Sequence, residues 1–154
     1  MTEPRPVQPI TILMAEDDDD DRVLTLEAMH TARLINELRF VGDGEELLDY
    51  LRGLGRYAEP GSAPWPGLIL LDLRMPRMDG LTALGHLKAD PDLRRIPVVV
   101  LTTSENEHDI LRSYELGAAS FITKPVTFSA LVQLVQTLDG YWTGIVKLPP
   151  SDEE

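Results

Sequence analysis

Short apolar runs alternate with amphipathic segments along most of this chain. Residues 10–15, 68–71 and 96–101 are runs of mainly apolar side chains, and each ends abruptly in polar residues. Runs of that length, bounded by charged residues, glycine or proline, are typical of strands buried in a sheet. Shorter runs at residues 38–41 and 120–123 predict two further strands. The pattern therefore predicts five strands.

Apolar residues at helical spacing follow each predicted strand. The first helix is expected to bury a stripe made of Val23, Leu24, Leu26, Ala28 and Met29. Similar stripes predict four more helices, marked by Leu47, Leu48 and Leu51; by Leu81, Leu84 and Leu87; by Ile110, Leu111 and Tyr114; and by Phe128, Leu131, Val132, Val135 and Leu138. Residues 53–67 hold four glycines and three prolines, which predicts a long surface loop anchored by Trp65.

Five strands alternating with five helices predict an α/β fold with a doubly wound parallel sheet covered on both faces. In the flavodoxin-like strand order 2-1-3-4-5, the first and third strands are central neighbours. We expect this domain to cover residues 10–140. A loose leader at residues 1–9 would precede it, and an extension at residues 141–154, apolar and then acidic, would follow it.

Composition narrows the classes of function. With 154 residues the chain suits one domain, and its formal charge of -12 argues against a nucleic-acid surface, which needs clustered lysine and arginine. Without cysteine, neither disulfides nor thiolate chemistry is available. The sequence has no signal peptide and no apolar run near the roughly 20 residues that span a bilayer. We therefore expect a cytoplasmic protein that does not enter a membrane.

Polar side chains stand at the ends of four of the predicted strands. Glu16 and Asp17 follow the first strand, Asp72 the third, Thr102 the fourth and Lys124 the fifth. Because ligands bind outside the carboxyl ends of parallel strands, at the switch point of the strand order, we expect these groups to converge in one cleft. Each residue alone also suits a structural role: a turn cap for Asp72, strand packing for Thr102 and a surface position for Lys124.

The converging carboxylates repel one another and therefore favour binding of a cation. Two or three of them within about 4 Å repel by several kcal/mol, and Mg²⁺ suits a site of one or two carboxylates and a carbonyl. With Asp72 as nucleophile, Lys124 as a fixed positive charge and Thr102 as a hydrogen-bond donor, the set is suited to phosphoryl transfer.

This constellation resembles the receiver domain of bacterial two-component response regulators. The resemblance rests on Glu16 and Asp17, on Asp72 within Leu-Leu-Asp-Leu-Arg-Met-Pro, on Thr102, and on Lys124 followed by proline, and it covers residues 10–138. It implies that Asp72 accepts a phosphoryl group from a histidine kinase. It also implies that Lys124 contacts this group and that its bond to the following proline is cis.

The same resemblance implies a metal site and a switch. Mg²⁺ would be bound by Asp17, Asp72 and the backbone carbonyl of Arg74, with Glu16 helping through a water molecule. On phosphorylation Thr102 would move inward and the aromatic side chain on the fifth strand, Phe121, would follow. Because Phe121 lacks the hydroxyl of a tyrosine, that bond is not available to anchor its rotamers.

A narrower resemblance concerns the loop before the third strand and the chain end. Tyr57 in this loop and the segment 141–149 look like the single-domain regulators paired with bacterial phytochrome kinases. In that segment Tyr141, Trp142, Ile145 and Val146 would expose an apolar patch on an isolated chain, which predicts an interface in a homodimer. The alternative is that the segment folds back on its own domain.

The main hypothesis is a single-domain phosphorylation switch that catalyses only its own phosphorylation and dephosphorylation and signals through protein contacts. The alternative enzyme is a magnesium-dependent aspartyl-phosphate phosphatase. That class usually has a second acid two residues after its nucleophile, and here that position is Arg74. A flavin mononucleotide module would need a phosphate-binding loop after the first strand, where acids stand instead. A receiver-like interaction module that takes no phosphate is the remaining alternative.

Overall fold

A five-stranded parallel sheet forms the centre of the molecule, in the order 2-1-3-4-5. The computed structural model describes residues 9–103, 107–125 and 127–141, without the side chains of residues 102, 107–108 and 139–141. The strands are β1 (Thr11–Ala15), β2 (Leu38–Val41), β3 (Pro66–Leu71), β4 (Val98–Thr102) and β5 (Ser120–Thr123). The sequence prediction of five strands in this order is confirmed.

Five α-helices cover the two faces of the sheet: α1 (Asp19–Thr31), α2 (Gly44–Arg52), α3 (Gly80–Ala89), α4 (Glu107–Glu115) and α5 (Phe128–Tyr141). Helix α1 packs beside α5 on one face, while α2, α3 and α4 are neighbours on the other. None of the helices in the described ranges combines the length and hydrophobicity needed to cross a bilayer.

Strand β1 shows why the central strands are continuous apolar runs. Leu13 and Ala15 pack in the core that contains α2 and α3, whereas Ile12 and Met14 pack in the core that contains α1 and α5. Successive side chains of a strand point to opposite faces, so a sheet covered on both sides buries every position.

Three helices, α1, α4 and α5, expose apolar residues that the sequence pattern assigns to the core, and in α5 the exposed residue is Phe128. In α1, Ala28 and Met29 are buried as predicted, but Val23, Leu24 and Leu26 are exposed, and the buried side chain one turn before Ala28 is that of Thr25. Thr25 can be buried because its Oγ1 donates to the Asp21 carbonyl at 2.8 Å. In α4, Leu111 and Tyr114 are likewise exposed.

The loop between α2 and β3 is held by two tyrosines. It contains a short 3-10 helix (Gly55–Tyr57), and the Tyr50 and Tyr57 rings meet edge-to-face with centroids 5.0 Å apart. The Tyr50 hydroxyl donates to the Pro64 carbonyl at 2.7 Å. The prediction that Trp65 anchors this loop is wrong, because Trp65 is 57% exposed. Here the hydroxyl groups supply the fixed contacts that an exposed indole does not.

Candidate functional site

The acidic residues after β1 begin with a carboxylate inside the protein. Glu16 is only 1% exposed, and its backbone N–H continues the sheet by donating to the Val41 carbonyl at 2.9 Å. Its Oε2 accepts a hydrogen bond from the backbone N–H of Asp18 at 3.1 Å. Asp17, next in the chain, is exposed. The end of β1 thus delivers one buried and one accessible carboxylate.

Asp72 lies at the equivalent end of the neighbouring strand, β3. Its backbone N–H donates to the Ala15 carbonyl at 3.1 Å, and its Oδ1 accepts from the backbone N–H of Arg74 at 3.0 Å. The following loop folds closely against it, since a Cβ atom on Gly80 would lie 2.4 Å from the Asp72 carbonyl oxygen. Glycine is therefore required at position 80 for this approach.

Lys124, directly after β5, joins the acidic groups. Its Nζ donates to Asp72 Oδ2 at 2.9 Å, to Asp21 Oδ2 at 2.9 Å, and to Glu16 Oε1. The side chain is 14% exposed. The structure therefore brings together three of the strand-end residues singled out in the sequence, Glu16, Asp72 and Lys124, and adds one that was not, Asp21.

Burial and ion pairing act in opposite directions on this cluster. Burial raises the pKa of the Glu16 carboxyl, although hydrogen bonds from Lys124 and from the Asp18 N–H partly offset the effect. Burial alone would lower the pKa of the Lys124 ammonium, but its hydrogen bonds to three carboxylates raise it above the usual 10.5. Lys124 therefore carries its positive charge at neutral pH.

Three acids at this edge could hold a metal ion. Glu16, Asp17 and Asp72 each offer one carboxylate oxygen, and these atoms lie within 4.8 Å of one another. Donor sets made only of oxygen suit hard divalent cations such as Mg²⁺ and Mn²⁺. The residues present therefore fit a divalent cation.

The remaining sequence candidates lie around this cluster or beyond it. Thr102 is the last residue of β4 and pairs with Thr123, but its side chain is outside the described residues. Phe121 is half-buried on β5 and packs against the core of the α2–α3 face. The expected cis bond after Lys124 is wrong: that peptide bond is trans, as most bonds preceding proline are.

The predicted interface residues are largely beyond the described chain. Tyr141 is the last residue of α5, and its side chain is not described. Trp142, Ile145 and Val146 lie outside the described residues altogether. The dimer hypothesis therefore stays a prediction.

Sequence reasoning missed Asp21. The run from residue 16 to residue 21 consists entirely of acids, and most acids in such a run are typically solvated. Such a run does not show which member faces the site, because that depends on where α1 begins. The helix starts at Asp19, with Asp18 as its N-cap, and its first turn places Asp21 against Lys124.

The chain that carries this site matches a known protein family. The profile of the response regulator receiver domain matches residues 12–136, which is most of the chain. The chain belongs to the response regulator receiver domain family. Its function is therefore that of a response regulator in two-component signalling.

Several relatives resemble this receiver domain over nearly their whole length. Response regulator Rcp1 of Synechocystis sp. is 41% identical over 141 residues, which are 92% of this chain and 94% of Rcp1. The crystal structure of Mn²⁺-bound Rcp1 matches with a TM-score of 0.79, over 92% of this chain and 100% of the other.

Two further solved structures are of phytochrome response regulators. That of the phosphorylated cyanobacterial phytochrome response regulator RcpA has a TM-score of 0.80 and 42% identity, and it covers 92% of this chain and 99% of RcpA. The bacteriophytochrome response regulator AtBRR has a TM-score of 0.71 and 43% identity, covering 88% and 96%. The receiver fold and the phytochrome-associated subgroup of relatives both agree with the sequence prediction.

Proposed function

We propose that this receiver domain takes a phosphoryl group from a histidine kinase onto Asp72 and signals through protein contacts. The observation that carries the proposal is the contact between Lys124 Nζ and Asp72 Oδ2 at 2.9 Å, beside Glu16 and Asp17. In the transfer, the bond from phosphorus to the donor nitrogen breaks as a bond to an Asp72 carboxylate oxygen forms. The nitrogen keeps the electron pair.

The residues around Asp72 would orient the acceptor and receive the charge. The Arg74 N–H fixes one oxygen of the Asp72 carboxylate. Lys124 would neutralise charge on the phosphoryl oxygens, and Thr102 would donate a hydrogen bond to one of them. We propose that the inward movement of Thr102, followed by Phe121, converts phosphorylation into a change of surface.

Mg²⁺ is the cofactor we propose for this site. Glu16, Asp17 and Asp72 would hold it together with the backbone carbonyl of Arg74. When bound, it would stabilise negative charge on the phosphoryl group. The Mn²⁺-bound form of Rcp1 supports a divalent cation in a related protein.

We further propose a phytochrome-type histidine kinase as the partner, because relatives similar over nearly the full chain are named phytochrome response regulators. This would place the protein in the cytoplasm, where the ATP that supplies such a kinase is found. Transfer from a phytochrome-type kinase should be faster than from an unrelated histidine kinase, measured with radiolabelled phosphoryl groups. Equal rates would contradict the pairing.

The intact mass after incubation with acetyl phosphate tests phosphorylation itself. We expect one added phosphoryl group per chain with Mg²⁺, none with a chelator, and none in Asp72→Asn. Asp79→Asn is the matched control, because Asp79 is an exposed acid after the same strand whose role is to cap α3. An adduct retained in Asp72→Asn would overturn the assignment of the acceptor.

A further inference from the structure

Asp21 makes a contact with Lys124 that the proposed metal and phosphoryl chemistry does not require. A lysine ammonium has three N–H donors and no acceptor, and here Lys124 Nζ contacts three carboxylates. Glu16 and Asp72 belong to the group that could hold a cation, whereas Asp21 does not. Asp21 also comes from a helix, not from a strand end.

The first turn of α1 fixes the backbone of Asp21. Asp18 Oδ1 accepts hydrogen bonds from the N–H groups of Asp20 at 2.8 Å and Asp21 at 3.1 Å. On the other side, Thr25 Oγ1 donates to the Asp21 carbonyl at 2.8 Å. Carboxylates are favourable in the first turn because of the helix dipole. Asp21 is thus an anchor whose position depends on the helix and not on the occupancy of the site.

The contact with Asp21 therefore differs from the contacts with Glu16 and Asp72 when a cation binds or when Asp72 is phosphorylated. A divalent cation would compete with Lys124 for Glu16 and Asp72, and phosphorylation changes the Asp72 carboxylate itself. Asp21, 40% exposed on the α1 side, would stay available throughout. Because a lysine side chain has a long flexible stem, an ammonium without any fixed partner would have to be ordered anew for each transfer.

We propose that Asp21 is a positioning residue for phosphoryl transfer: it holds the Lys124 ammonium beside Asp72 from the α1 side. This inference rests on the function proposed above. During the transfer Lys124 keeps its protons and Asp21 keeps its charge. Asp21 touches neither the phosphoryl donor nor the acceptor oxygen.

The test compares the rate of phosphorylation by acetyl phosphate, with Mg²⁺ present, in Asp21→Asn and in Asp20→Asn. Asp20 is the matched control, because it is an exposed acid of the same helical turn and its loss changes the net charge equally. We expect a roughly tenfold slower rate in Asp21→Asn, the size of effect that loss of one charge-assisted hydrogen bond gives. Asp20→Asn should stay within about twofold of the wild type.

Two further readouts separate positioning from a general effect on the fold. Asp21→Glu keeps a carboxylate and should recover most of the rate. In the metal-free, unphosphorylated protein, NMR relaxation of the Lys124 side chain should show greater mobility in Asp21→Asn and not in Asp20→Asn.

Equal rates in Asp21→Asn and Asp20→Asn would overturn the proposal, as would an Asp21→Glu variant as slow as Asp21→Asn. Unchanged mobility of the Lys124 side chain in Asp21→Asn would also count against it. Absence of any adduct on the wild-type protein would instead reject the proposed function, so the two failures are distinguishable.

Discussion

Two clusters in this receiver domain hold carboxylates by short hydrogen bonds, but their charge balance differs. In the Glu46 cluster, one carboxylate accepts from the Gly42 N–H at 2.7 Å and from the Tyr57 hydroxyl at 2.6 Å, with Arg56 at 3.5 Å. In the Lys124 cluster, three carboxylates share one ammonium, and Asp17 adds a fourth acid nearby.

The difference in charge balance indicates a structural role for the Glu46 cluster and a chemical role for the Lys124 cluster. At Glu46 the donors are sufficient for the single carboxylate, so the cluster ties the loop to α2 and needs nothing further. At Lys124 the negative charges outnumber the positive one, and carboxylates so close together favour a further cation. We infer that the surplus of negative charge, more than the presence of buried acids, marks the functional site.

The largest effect is expected from removing the ammonium of the Lys124 cluster. Lys124→Met keeps most of the side-chain stem but leaves Glu16 without its ion pair, and we expect the free energy of unfolding to fall by about 3 kcal/mol. Mg²⁺ should restore part of that loss, because it would bind the folded state. Urea denaturation with and without Mg²⁺ measures both effects.

Lys88→Met is the matched control for that experiment. The Lys88 Nζ donates to the carbonyls of Arg94 at 3.1 Å and Ile96 at 3.3 Å, with no carboxylate partner in the described part of the chain. Its loss should therefore leave the effect of Mg²⁺ on stability equal to that in the wild type. The same stabilisation by Mg²⁺ in both variants would contradict the link between surplus charge and cation.

A smaller effect is expected at the balanced cluster. Tyr57→Phe removes the hydroxyl that donates to Glu46, and the free energy of unfolding should fall by about 1 to 2 kcal/mol. Phosphorylation at Asp72 should be unaffected, because the loop is not part of the site.

Tyr114→Phe is the matched control. Tyr114 is exposed in α4, so this variant should change the free energy of unfolding by less than about 0.5 kcal/mol. A slower phosphorylation rate in Tyr57→Phe would remove the distinction between the clusters.

The smallest effect is a pH dependence of the same contact. Burial, together with the hydrogen bond to Glu46, raises the pKa of Tyr57 from 10.0 to about 12. Because the folded state holds the phenolic proton more tightly, the stability due to Tyr57 is complete below pH 10 and is lost as the pH rises toward 12. Urea denaturation of wild type and Tyr57→Phe across this range should show their difference shrinking; a constant difference would contradict it.

Most of the fold could be predicted from the sequence, because buried parallel strands are continuous apolar runs and the connections between them are short. The buried face of α1 could not. Leu24 and Leu26 suit a helical stripe as well as Met29 does, and only packing shows that the side chain of Thr25 takes the buried position. A hydroxyl that bonds within its own helix can be buried at little cost, which hydrophobic spacing does not reveal.

The site was predictable to the extent that it depends on strand ends. Glu16, Asp72 and Lys124 could be placed together because parallel strands end at the same edge of the sheet. Asp21 could not, because its position depends on the start of α1, and the contact between Tyr57 and Glu46 joins a loop to a helix 11 residues away. The roles of Arg74 and Thr102 stay predictions.

Calorimetric titration with Mg²⁺ tests the central claim most directly, by comparing the wild type with one carboxylate variant from each cluster. We predict one bound Mg²⁺ per wild-type chain, an affinity at least about tenfold weaker in Asp72→Asn, and an unchanged affinity in Glu46→Gln, whose amide oxygen can still accept hydrogen bonds. Equal weakening in both variants, or none in Asp72→Asn, would show that the surplus of charge around Lys124 does not define a cation site.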